Sequence, residues 1–219
     1  MEDPHLANAY TYTRREEIAN AITHGIGALV SLPVLALLVT FAALKGDARH
    51  VAALAVYGAT MLMLYVSSTL VHSLPPGRAK DVFETLDHAS IFLFIAGTYT
   101  PFALLVLRGA AGWTLFGAVW GLALAGAVFK AFFVKKFLFL STLLYVALGW
   151  IALFAWEPLA ASLPPAGLGL LVAGGVAYTA GTVFFVWRGF PFHHMVWHLF
   201  VLAGSLLHAA AVFFSAIPW

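Results

Sequence analysis

Seven apolar runs, each at or near the length that crosses a lipid bilayer, occupy most of the 219-residue chain. A hydrocarbon core about 30 Å thick takes about 20 residues of helix. The runs are 19–44, 51–74, 89–107, 113–129, 137–156, 167–187 and 194–214. The fourth is the shortest, and it extends to Val134 if the stem of Lys130 snorkels to the interface. The stretches between them, "KGDAR", "PPGRAKDVFET", "RGAAG", "FFVKK", "EPLAASLPPA" and "RGFPF", leave no room for a soluble domain. Lipid offers no partner for backbone N–H and C=O groups, so spans of this length must be helices. The chain is therefore predicted to be an all-α integral membrane protein. A seven-transmembrane helix bundle covers residues 18–217, with spans near 19–44, 51–74, 87–107, 113–134, 137–156, 167–187 and 194–214, after a polar N-terminal segment 1–17.

Composition agrees with this class and narrows the chemistry. Only 9% of residues are charged and mean hydropathy is +0.95, against about 25% charged in soluble domains. The polar start "MEDPHLANAYTYTRREE" lacks the order of a secretory signal and reads as part of the mature protein. There is no cysteine, which excludes disulfides and thiolate metal sites and leaves histidine and carboxylate as ligands. With the N-terminus inside, Arg14, Arg15, Arg78, Lys80, Lys130, Lys135, Lys136 and Arg188 lie on the inner side, against Lys45, Arg49 and Arg108 outside. The positive-inside rule thus predicts a cytoplasmic N-terminus and an external "SAIPW". The basic residues form a membrane rim, and no basic–aromatic pattern points to nucleic acid. The spacing of Gly117 and Gly121 is that of a helix-contact motif, a weak signal in a chain with 19 glycines.

That orientation gives the ionisable residues a depth. His72 falls at the inner end of the second span, Asp87 at the inner start of the third, and His194 with His198 at the inner start of the seventh. Residues four apart share a helix face, so His194 pairs with His198 and Ser68 with His72, and Tyr65 extends that second stripe. Two histidines at i and i+4 are how a helix offers two imidazole nitrogens to one ion. Alone, the HxxxH pattern is equally well read as interfacial histidines facing headgroups. Joined by His72 and Asp87 at matching depth, it reads as a site, because intramembrane ionisable groups face the bundle interior and one another. Three histidines with an open position suit a catalytic Zn²⁺, a Lewis acid that brings the pKa of its water toward ~7. Asp87 would serve as general base or orient that water, and Ser68 would hydrogen-bond water or substrate, unless its hydroxyl turns back to the helix carbonyl one turn earlier.

The other ionisable groups read as secondary. His24, on a stripe with Glu17 and Asn20, is expected to be a satisfied structural histidine, with a supporting place beside the metal as the alternative. His88 points about 100° away from Asp87 around the helix. His193 is expected to face headgroups, and Glu84 and His5 to be solvated or interfacial. His208 lies ten residues beyond His198, about 15 Å along the helix, too far for the same ion. Trp113, Trp156, Trp187 and Trp219 fall at span ends as interface anchors.

The blocks "EEIANAITHGIG", "SSTLVHSL", "ETLDHASIFLFIAGTYTPF" and "HHMVWHLFVLAGSLLH" resemble, in order and spacing, those of bacterial hemolysin III proteins. These belong to the progestin and adipoQ receptor (PAQR) group, with the adiponectin receptors, and are more distantly related to alkaline ceramidases. The resemblance runs from about Glu16 to Phe214. It implies an N-in, C-out seven-helix fold in the bacterial cytoplasmic membrane, Zn²⁺ on His72, His194 and His198, and Asp87 at the metal's water. His88 stands where the receptors have tyrosine, which leaves its part in the site open. The ceramidase relationship extrapolates to a zinc-dependent hydrolase of a membrane lipid amide or ester, with a role in lipid homeostasis. Two other classes stand beside it: a receptor-like sensor whose zinc is structural, lacking an open coordination position and a lipid-sized cavity, and a channel or cytolytic protein, which needs polar residues through the whole membrane. The sequence names neither the lipid nor the oligomeric state.

Overall fold

The computed structural model describes residues 12–218, which form seven helical spans long and apolar enough to cross a membrane. Helix α1 is Arg14–Lys45, α2 Ala48–Ser73 and α3 Arg78–Pro101, the last continued by a π-helical segment Phe102–Leu107. Then come α4 Gly109–Phe133, α5 Leu138–Gly149, a 3-10 segment Ile151–Ala155, α6 Trp156–Ser162, α7 Pro165–Val186 and α8 His193–Ala216. Residues 1–11, with His5, and Trp219 lie outside the described residues. Successive spans pack as antiparallel neighbours, and α1 also packs on α8, which brings the first and last spans together. The pattern is that of a protein dissolved in lipid: large exposed side chains such as Phe154, Phe132, Leu44 and Leu29 are apolar, while Asn20, Ser31 and Ser205 are fully buried.

The helix ends follow from local chemistry. Thr13 caps α1 through a capping box with Glu16. Asp47 caps α2 in the same way with His50, and the hydrogen bonds from His50 hold its carboxyl down at about 2. Helix α3 begins at Arg78, nine residues ahead of the expected 87, because only Pro75–Gly77 interrupts the chain and "RAKDVFE" is sound helix sequence. Asp87 therefore sits in the third turn of a helix rather than at its start. The fifth span is broken rather than continuous over 137–156. Its loosened backbone is closed by Tyr99, whose hydroxyl donates to Gly149 O (2.6 Å) and accepts from Ala152 N (2.9 Å). Such repair is required where backbone lies at membrane depth.

Two smaller expectations are corrected. Lys130 does not snorkel outward: it is fully buried, and Nζ turns onto Val134 O at the end of its own helix (3.3 Å). Gly117 and Gly121 are exposed with nothing beside them, so they make no helix contact within the chain. Trp113, Trp156 and Trp187 are exposed at span ends, the position of anchors.

Candidate metal centre

The end of the bundle where α1, α3 and α8 begin and α2 finishes gathers the polar residues. His72 from α2 and His194 and His198 from α8 are all buried, and each offers a ligand atom within 4.8 Å of the others, an arrangement that could hold a metal ion. Ring centroids stand 5.2 Å apart from His72 to either partner and 4.5 Å between His194 and His198. The i, i+4 spacing on one helix and the end of another thus meet as the sequence expects.

The hydrogen bonds around the rings decide which nitrogens remain free. Glu17 Oε2 lies 2.5 Å from His72 Nδ1, so a proton on Nδ1 is donated to the carboxylate and Nε2 is left with a lone pair, buried and without a partner among the described residues. Glu17 Oε1 accepts from Lys80 Nζ at 2.6 Å, so both carboxylate oxygens are used. His198 Nδ1 faces Asn20 O (3.2 Å) and Thr23 Oγ1 (3.1 Å). Thr23 already donates its own hydrogen to backbone carbonyls of α1, so His198 Nδ1–H is the donor to both groups. That tautomer leaves the other ring nitrogen bare. His194 Nδ1 has no partner among the described residues. Unpaired imidazole lone pairs buried together are costly unless something positive sits among them, so these residues fit a cation. An all-nitrogen set suits zinc among other late transition metals.

Helix α1 is the scaffold of this chemistry, and sequence reasoning gave it too small a part. Besides Glu17, Asn20 and Thr23, its first turn supplies Glu16, which accepts Phe192 N (3.0 Å) at the left-handed cap (φ 62°) that starts α8. Tyr12 lies over the cluster, 4.9 Å from the His194 ring and 5.8 Å from His72. The stripe Glu17, Asn20, His24 was visible as a periodicity. What it faced was not, because contacts between the first and last spans leave no local signal.

The remaining expectations sort as follows. Asp87 and Ser68 line one cavity with His194 and His198. Ser68 does not bond back to its helix: Ser67 donates to Met63 O (2.7 Å) and Thr69 to Tyr65 O (2.6 Å), while the buried Ser68 Oγ between them has no well-formed bond. His24 is not a satisfied structural histidine: among the described residues both its nitrogens lack partners, and its ring stacks on His198 at 3.4 Å. His88 lines the cavity with Nδ1 donating to Glu84 O (2.8 Å). His193 faces the protein rather than headgroups, its Nδ1 donating to Phe184 O (3.0 Å). Glu84 is buried, with Oε2 3.4 Å from Lys135 Nζ and Oε1 unpaired. His208 is outside the metal-binding set, as its depth requires, yet it lines the same cavity.

That cavity, about 120 Å³, runs from the histidine cluster between α3, α7 and α8 to the broken fifth span. Its middle is walled by Leu64, Ile91, Phe94, Ile95 and Val201. One end offers metal-ligating and proton-accepting groups, and the body offers apolar surface.

Comparison with known proteins gives the family. A family model described as haemolysin-III related matches residues 12–209. A Bacillus subtilis (strain 168) protein named hemolysin-3 homolog is 52% identical over 206 residues, covering 94% of this chain and 95% of that one. Hemolysin-3 of Bacillus cereus is 49% identical over 204 residues, 93% of each. The human monocyte to macrophage differentiation factor is 27% identical over 210 residues, 93% of this chain and 85% of its own.

Proposed function

The chain belongs to the haemolysin-III-related family, and we propose that it is a zinc-dependent hydrolase of a membrane lipid, cleaving an amide or ester bond of ceramide type at the cytoplasmic side of the bacterial inner membrane. The observation that carries this reading is a largely apolar cavity lined by His194 and His198 of the buried triad His72, His194 and His198, with Asp87 and Ser68 also on its wall. A purely structural zinc needs no such space. A channel needs open polar groups along its length, and the hydroxyls of Thr98, Thr179 and Thr182 on this wall are turned back to carbonyls of their own helices.

In this reading the three histidines hold the ion through neutral nitrogens, and Glu17 keeps the His72 proton on Nδ1. When bound, zinc supplies Lewis acidity to the reacting carbonyl and to water. Asp87 takes the proton of the attacking water and later returns one to the leaving group. The Ser68 hydroxyl, beside Asp87 and not turned back to its own helix, is placed to donate to the carbonyl oxygen as charge develops there. The apolar walls receive the lipid chain and exclude bulk water. Cytoplasmic placement of the site rests on the eight-to-three basic asymmetry of the loops.

The test has two arms. Detergent-purified protein should carry stoichiometric zinc that His72→Ala and His194→Ala lose; a metal-free wild type, or variants that keep the metal, overturns the site. With ceramides and bacterial acyl lipids, the protein should release fatty acid, and Asp87→Ala should keep zinc but lose turnover. Product formation unchanged by Asp87→Ala removes the aspartate from its role.

A further inference from the structure

The polar side chains on the cavity wall are not distributed evenly. Thr98, Tyr99, Thr179 and Thr182 are each engaged, donating to Phe94 O, Gly149 O, Gly175 O and Thr179 O. Tyr178 shares a hydrogen bond with Ser205 at 2.8 Å. Among the described residues, fully buried wall atoms without a hydrogen bond include those of His24 and His194 at the metal end and, well away from it, His208 Nδ1.

His208 is 8% exposed and lines both this cavity and the smaller one beside it. Its Nε2 lies 3.0 Å from Leu171 O. A carbonyl can only accept, so Nε2 carries the hydrogen and Nδ1 is a bare acceptor, buried and without a partner among the described residues. The ring is held in place. A Cβ on residue 174 would collide with its Cδ2 and Nε2, so the ring lies directly against Gly174, and Tyr178 presses on it edge to face at 5.3 Å. A rigid acceptor therefore stands about 15 Å along α8 from His198, ten residues at 1.5 Å each, with the apolar stretch between.

We propose that the cavity is two-ended: His208 accepts a hydrogen bond from a neutral hydroxyl on the far part of a long-chain amphiphile whose other polar group lies at the histidine cluster. An ammonium donor does not fit, since no carboxylate lies on this part of the wall to offset its lost hydration. The inference rests on the reading of the cavity as a lipid site and adds the chemistry of the ligand's remote end.

The experiment compares ω-hydroxylauric acid with lauric acid, and neighbouring chain lengths of both, as competitors of a fluorescent fatty acid on the full chain in nanodiscs. The hydroxylated acid should bind roughly three- to tenfold more tightly at the matching length, the yield of one hydrogen bond to a buried acceptor. His208→Phe, which keeps an aromatic side chain and removes both ring nitrogens, should abolish that preference while zinc content stays as in wild type. Equal binding of the two acids by wild type overturns the inference and leaves the lipid cavity standing. If neither acid binds, the lipid reading fails with it. A preference that persists in His208→Phe assigns recognition elsewhere and also overturns the proposal.

Discussion

Removing the Glu17 carboxylate should weaken the metal site without touching a ligand. The structure fixes the size of the effect by two routes. Glu17 Oε2 receives the His72 Nδ1 proton at 2.5 Å, and a hydrogen bond to a charged group contributes about 1.5–3 kcal/mol. Independently, loss of a carboxylate behind a metal-bound histidine costs about 10- to 100-fold in affinity, roughly 1.4–2.7 kcal/mol. The two agree, so Glu17→Ala should lower zinc affinity by one to two orders of magnitude. Glu17→Gln should fall between wild type and Glu17→Ala, because an amide oxygen can serve His72 or Lys80 but not both. Lys80→Met is the control. It removes the other partner, whose side chain is partly exposed, and such a pair is worth about 0–1 kcal/mol, less than about sixfold. The assay is zinc competition against chelators of graded affinity, with melting of the metal-stripped proteins run alongside to exclude misfolding. Affinity of Glu17→Ala within twofold of wild type, or a larger loss in Lys80→Met, would refute the assigned tautomer and the partnership behind it.

Other consequences can be checked with simple variants. A Cβ at residue 126 would meet the buried Phe92 ring at 2.5–2.6 Å, so Gly126→Ala should destabilise by about 1–3 kcal/mol. Gly117→Ala, in open space on the same helix, should be neutral or stabilising by up to about 1 kcal/mol; melting in detergent should move the two in opposite directions, and parallel shifts would contradict the packing of α3 on α4. The chain has no native cysteine, so Ala161→Cys and Pro76→Cys report orientation cleanly. An impermeant maleimide should label Ala161→Cys in intact cells and Pro76→Cys only after permeabilisation, and the reverse would invert the topology. Ser68→Ala should keep full zinc while lowering lipid turnover by about 10- to 100-fold, the range of a single lost carbonyl hydrogen bond; unchanged turnover would give the hydroxyl no part in the chemistry.

What was legible in the sequence is what helical periodicity and bilayer thickness encode. The existence of seven spans follows from apolar length alone, and the triad follows from i, i+4 spacing read at a common depth. Both are properties of one segment at a time. Boundaries were less legible where hydropathy and helix formation diverge: α3 begins in "RAKDVFE", polar enough to look like loop yet free of helix breakers. The fifth span looks continuous in composition, and its break depends on Tyr99 from another helix satisfying the loosened backbone. The same reasoning explains the residues that sequence reading placed wrongly. His193 is expected to face headgroups because it precedes the last apolar run, but α8 starts at a left-handed cap fastened by Glu16 of α1, which draws its first turn into the protein. His24 looked like an isolated structural histidine because its partner in the bundle, His198, is 174 positions away. Helix α1 carries the most consequential of these contacts. Its Glu17, Asn20 and Thr23 hold the second nitrogens of His72 and His198, so the helix with no predicted ligand determines which nitrogen each ligand presents. The candidate metal centre is thus specified twice, once by the i, i+4 pair of α8 meeting His72 of α2 and once by the hydrogen-bond partners that α1 brings up behind them.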